Sequence, residues 1–126
     1  MNETANSAAT PAAGGPGAEV RFTDGGALVC SLTGELDLDG VVTAGPVLEE
    51  AVRSGAPLLV IEFSGLGFCD SSGLNLLLRT RADAEGAGTA LRLTGVSGQL
   101  LRLLEITGAH RVFTIEPTLE HALAAR

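Results

Sequence analysis

Tryptophan and tyrosine are absent from this chain, and its only aromatic side chains are four phenylalanines among 126 residues. A core must therefore be assembled from Leu, Val, Ile and Ala, and the length suits one domain with a modest single core. Basic side chains are scarce too. Eight Lys and Arg against fifteen Asp and Glu leave a formal charge of −7, so no basic stripe exists to neutralise phosphates, and nucleic acid is not an expected partner. Cysteine is limited to Cys30 and Cys69, far apart rather than spaced as C-x-x-C. Each reads as a small buried hydrophobe, not as part of a metal or redox motif. No stretch of about 18 apolar residues is present for a membrane span, and the N-terminus has neither a basic head nor an apolar h-region. The expectation is a soluble cytoplasmic protein without a membrane partner.

What the chain does have is concentrated in Val60-Ile61-Glu62-Phe63-Ser64-Gly65-Leu66-Gly67-Phe68-Cys69-Asp70-Ser71-Ser72-Gly73-Leu74. Leu58, Leu59, Val60, Ile61 and Phe63 form a nearly unbroken apolar run, which suits a strand covered on both faces among parallel neighbours. A short glycine-bearing loop follows. Leu74, Leu77, Leu78 and Ala82 then recur with helical spacing, so the period switches from strand to helix across Asp70 to Gly73. Ser71 and Ser72 therefore fall at a helix N-terminus, where unpaired N–H groups and the dipole favour an anion. A phosphate on either hydroxyl would be well hosted there. Asp70 or Ser71 can equally serve as an ordinary helix cap, and the two roles are compatible.

Residues 1 to about 17 are Ala, Gly, Pro, Thr, Ser and Asn with almost no large apolar side chain, and are expected to be a disordered tail, with one domain over 18–126. Val20 and Phe22, the turn Asp24-Gly25-Gly26, and the alternation of Leu28, Cys30 and Leu32 predict an opening hairpin. A helix carrying Ala44, Leu48, Ala51 and Val52 follows, with Gly45-Pro46 placing its start near Thr43. Leu91 and Leu93 mark another strand. Ser97 caps a helix bearing Leu100, Leu103 and Leu104 that Gly108 ends, Val112 to Ile115 make a last strand, and Pro117 opens a short helix with Leu119, Ala122 and Leu123 inward. The order β-β-α-β-α-β-α-β-α implies right-handed crossovers and a mostly parallel sheet with an antiparallel edge. Binding sites in such folds gather at the carboxyl ends of strands. Asp37 lies just past one strand end and Asp70-Ser71-Ser72 past the next, so the two loops meet if those strands are neighbours.

The chain resembles the STAS-domain proteins, specifically the bacterial anti-sigma factor antagonists. The likeness runs from about Val20 to Leu123: Gly34-Glu35-Leu36-Asp37 is similar to the family's G-E-[LI]-D, Asp70-Ser71-Ser72-Gly73-Leu74 to D-S-[ST]-G-L, and Ile106-Thr107-Gly108 to I-T-G. The resemblance implies an α/β STAS fold, with a mixed, mostly parallel sheet of four or five strands, an N-terminal hairpin and about four helices. It also implies a partner switch. The unphosphorylated form binds an anti-sigma factor that is a serine kinase, releasing a sigma factor; phosphorylation of Ser71 breaks that grip, and a serine phosphatase restores it. Asp37, Asp70, Ser72, Gly73 and Leu74 would line the partner-facing surface. Gly40 stands where the family often has a capping hydroxyl residue.

Other classes are weaker. The window Cys69-Asp70-Ser71-Ser72-Gly73 lacks the first glycine of a G-x-S-x-G nucleophile elbow, and His110 and His121 read as solvated residues rather than acid–base groups, so no catalysis is expected. Glu35, Asp37, Asp39, Asp70 and Asp83 are dispersed, so no metal and no cofactor is expected. The alternative within the fold is an accessory subunit of a transporter or stress-signalling complex that uses the same surface without phosphorylation. Leu76 and Leu101, lying off the apolar stripes of their helices, are either exposed docking residues or core irregularities.

Overall fold

The computed structural model describes residues 14–15 and 17–124. Residues 1–13 and 16 of the expected tail, and residues 125–126 at the other end, lie outside the described residues. The elements are β1 (Gly14–Gly15), β2 (Ala18–Phe22), β3 (Leu28–Leu36), α1 (Leu38–Arg53), β4 (Leu58–Cys69), α2 (Ser71–Ala87), β5 (Ala90–Thr94), α3 (Gly98–Thr107), a 3₁₀ turn (Ala109–Arg111), β6 (Thr114–Glu116) and α4 (Leu119–Ala124). Beyond the two-residue β1, this is the α/β order that the periodicities predict.

The strands lie side by side in chain order, antiparallel from β1 to β3 and parallel from β3 to β6. With right-handed crossovers, a sheet that advances in one direction puts every crossover helix on one face. Accordingly α1, α2 and α3 share the main core with Leu28, Cys30, Leu32, Leu59, Ile61, Phe63 and Leu93. α4 packs on the other face, where Ala122 meets Ala27, Val29, Leu58 and Val60. Successive residues of β3 and β4 thus alternate between two cores, which explains the unbroken apolar run at Leu58–Ile61.

Three expectations are corrected. The glycine-bearing segment after Phe63 is no loop: β4 continues to Cys69 beside β3, absorbing two register shifts. Gly65 permits this, since a Cβ there would stand 2.9 Å from Thr33 Cγ2. α1 begins at Leu38, not near Thr43, because Asp37 caps it by accepting from the Gly40 amide at 2.9 Å. Pro46 lies inside that helix at an exposed position, and the carbonyl it leaves unpaired belongs to exposed Val42. Gly40 is not a lost cap either, since a Cβ there would collide with the Glu35 carbonyl.

Candidate functional site

β3 and β4 end together. Leu36 stands opposite Cys69, and the Asp70 amide donates to the Leu36 carbonyl at 3.2 Å. The two caps that follow, Asp37 for α1 and Asp70 for α2, therefore share one edge of the molecule: the strands are neighbours, which is the condition for the two loops to meet. Asp70 accepts from the amides of Ser72 at 2.9 Å and Gly73 at 3.3 Å. Ser71 is the first residue of α2 and is exposed; among the described residues no hydrogen bond engages its hydroxyl. Capping and display are thus divided between Asp70 and Ser71. Asp70 thereby holds the Ser72 and Gly73 amides that a phosphate at this helix end would also seek.

Of the residues expected to line a partner surface, Asp37, Asp70 and Ser72 are half-buried at the edge, whereas Gly73 and Leu74 are buried. These two cannot face a partner, and instead fit the first turn of α2 against the strand ends. A Cβ on Gly73 would collide with the Leu36 carbonyl and stand 2.6 Å from Cys69 Sγ. Leu76 is buried at 4% exposure and packs toward α1 beside Gly45, while Leu101 is partly exposed at 38%. Of the two, Leu76 is the core irregularity.

Sequence reasoning missed two contributions. Gln99 clamps the end of β4, its Oε1 accepting from the Cys69 amide at 3.0 Å and its Nε2 donating to the Cys69 carbonyl at 2.7 Å. An amide side chain reading backbone 30 residues away leaves no local pattern. Leu38 and Val42, one helical turn apart on α1, are exposed at 71% and 73%, and Phe68 near the end of β4 at 42%. Val42 lines a groove between α1 and α2 with Val41, Pro46, Leu76 and Arg79. Apolar residues just after a cap were the available signal.

No other chemistry converges here. His110 sits in the 3₁₀ turn beyond the far end of α3, which lies about 12 Å of helix from Gln99. His121 is exposed on α4, with Nδ1 2.7 Å from Thr118 Oγ1. Among the described residues no three His, Cys, Asp or Glu side chains gather as a metal would require. Burial pushes the Cys30 thiol from its ordinary 9.0 up to about 12. Burial, with the Asp70 charge second, pushes Cys69 up to about 11. At pH 8 the thiolate fractions are then about one in ten thousand for Cys30 and one in a thousand for Cys69. Native protein treated with iodoacetamide at that pH is expected to gain no adduct by intact mass, and denatured protein two. Because the folded thiols hold their protons more tightly than the unfolded ones, this contribution to stability is intact below the ordinary 9.0 and declines as pH rises above it. Rapid native labelling of Cys69 would show that the β4–α2 junction opens.

Comparison with known proteins locates this arrangement. Residues 21–117 match the family model described as Mlab, STAS domain. An anti-sigma factor antagonist from Mycobacterium paratuberculosis is 28% identical, with a TM-score of 0.79 over 90% of this chain and 97% of that one. The Bacillus cell fate determinant SpoIIAA in its phosphorylated form is 24% identical, with a TM-score of 0.66 over 84% and 96%. A sulfate transporter family protein from Wolinella succinogenes is 20% identical, with a TM-score of 0.69 over 79% and 83%. The last two likenesses are of fold alone.

Proposed function

Since the chain belongs to the STAS-domain family, we propose that it is an anti-sigma factor antagonist switched by phosphorylation of Ser71. The observation that carries the reading is the state of that residue: a hydroxyl on the first residue of α2, exposed and unengaged among the described residues, beside a carboxylate that has already taken the helix-end amides. Such a hydroxyl is open to a kinase without any unfolding. Exposed Leu38, Val42 and Phe68 supply apolar area for a partner in the same region of the fold, and Asp37 and Asp70 supply charge. The likeness to the Mycobacterium paratuberculosis antagonist supports the same role.

In this reading the unphosphorylated protein binds an anti-sigma factor of the serine-kinase type and releases a sigma factor. A serine phosphatase reverses the modification. The protein acts by binding, not by catalysis.

The test is site-mapping mass spectrometry after incubation with kinase-type anti-sigma factors and ATP. One phosphate on Ser71 is expected, with none on Ser71→Ala, which should remain a constitutive binder. Stoichiometric phosphorylation of Ser71→Ala would move the assignment to Ser72. Tight binding without modification would favour the accessory-subunit role instead.

A further inference from the structure

The sheet face away from α1–α3 carries a second feature, independent of Ser71. Register aligns Glu19, Ser31, Glu62, Thr94 and Glu116 in one row across β2–β6. Their strand neighbours Ala18, Cys30, Ile61 and Leu93 all point into the helix-side core, so the row points to the opposite face. α4 meets that face at Ala27, Val29, Leu58 and Val60, short of the row.

The row alternates carboxylate and hydroxyl. Glu19 is exposed, while Ser31, Glu62 and Glu116 are half-buried. The ion pairs among the described residues join Arg53 to Glu49 and Glu50, and Arg81 to Glu85; none reaches the row. Glu62 accepts from its own-strand Ser64 amide at 3.1 Å. Arg92, one row away, donates to the Ala122 carbonyl on α4 at 3.1 Å. Between Glu62 and Glu116 lies Thr94, only 1% exposed, whose Oγ1 has no hydrogen-bond partner among the described residues. Two half-buried carboxylates flanking an unpartnered buried hydroxyl form a place that wants a cationic donor.

The spacing selects the kind of cation. Carboxylates on every second strand stand about 9–10 Å apart across the sheet, close to one three-residue turn of polyproline II, which brings every third side chain back to the same side. They are too spread to converge on one ion. We propose that this row docks a basic segment of a partner protein in the polyproline II conformation, with Arg or Lys at every third residue, one of them seated between Glu62 and Glu116 as the partner that Thr94 Oγ1 lacks. The chain's net charge of −7 adds long-range attraction for such a segment.

The probe is a fluorescent (Arg-Ser-Gly)₄ peptide followed by anisotropy against the full chain at low ionic strength. Removing three charge pairs in E19Q/E62Q/E116Q is expected to weaken binding about tenfold. The equally charged E49Q/E85Q/E105Q, altered on the helix side, should bind within about twofold of the unsubstituted protein. Thr94→Val should weaken binding without lowering the melting temperature. Equal losses in the two triple variants would reduce the attraction to net charge and overturn the proposal. A row variant, or Thr94→Val, that binds like the unsubstituted protein would overturn it too. Amide-shift mapping on the unsubstituted protein locates the peptide without any substitution: shifts are expected on residues 19, 31, 62, 94 and 116, and shifts gathered elsewhere would overturn the proposal.

Discussion

Replacing Gly73 by Ala is expected to lower the melting temperature by about 8 °C or more, although Ala is the better helix former. A methyl at this position would meet the Leu36 carbonyl, Cys69 Sγ at 2.6 Å and Leu36 Cγ at 2.8 Å. Overpacking of this kind costs about 1–3 kcal/mol, and the upper end applies because a backbone carbonyl cannot rotate away as a side chain can. Removing Gly from a helix returns about 1 kcal/mol, leaving a net loss of about 2 kcal/mol. Gly86 on the same helix is the control, since a Cβ there meets nothing within 4 Å. Gly86→Ala should therefore stabilise by about 0.5–1 kcal/mol. Thermal unfolding of both variants separates propensity from packing. If Gly73→Ala melted with the unsubstituted protein, α2 would not press on the strand ends as described, and the placement of Ser71 would lose its support.

The same glycine shows what can be read in advance. That a strand gives way to a helix near Asp70 is legible because the hydrophobic period changes there, and periodicity reports which way side chains point. The parallel direction of the later strands is legible as well, because a helix between successive strands returns the chain the same way, whereas their side-by-side order comes only from the structure. Contacts between parts distant in sequence are not. Gly73 reads as a surface motif residue, yet its role is set by Leu36 and Cys69 on two strands. Leu76 reads as stray because a single apolar stripe assumes a single neighbour, whereas α2 packs against both α1 and the sheet. A start of α1 near Thr43 follows from weighing Pro46 as a helix breaker, while the stronger local signal is the Asp37 carboxylate three residues before the Gly40 amide.

Phosphorylation of Ser71 is expected to weaken partner binding more than about a hundredfold while moving the melting temperature by no more than a few degrees. The two halves follow from one geometry. A phosphate adds about −1.5 to −2 charges at the positive end of α2, where the dipole stabilises an anion by about 0.3–1 kcal/mol, so the fold has no reason to melt. Ser71 is exposed and its hydroxyl makes no hydrogen bond among the described residues, so no native contact is lost. The partner meets a different surface. With the Ser72 and Gly73 amides held by Asp70, the phosphate would add its charge to an edge that already carries the carboxylates of Asp37 and Asp70. Covering it would strip its water without offering those amides in exchange, and a penalty of about 3 kcal/mol corresponds to a change in Kd of more than about a hundredfold. Calorimetric titration of phosphorylated and unphosphorylated protein against the anti-sigma factor, with melting curves on the same samples, tests both halves. A phosphorylated form that melted about 15 °C lower would place the switch in the fold rather than the interface, at about 4 kcal/mol of lost stability. A Kd altered less than about tenfold, under about 1.4 kcal/mol, would mean that Ser71 lies outside the contact.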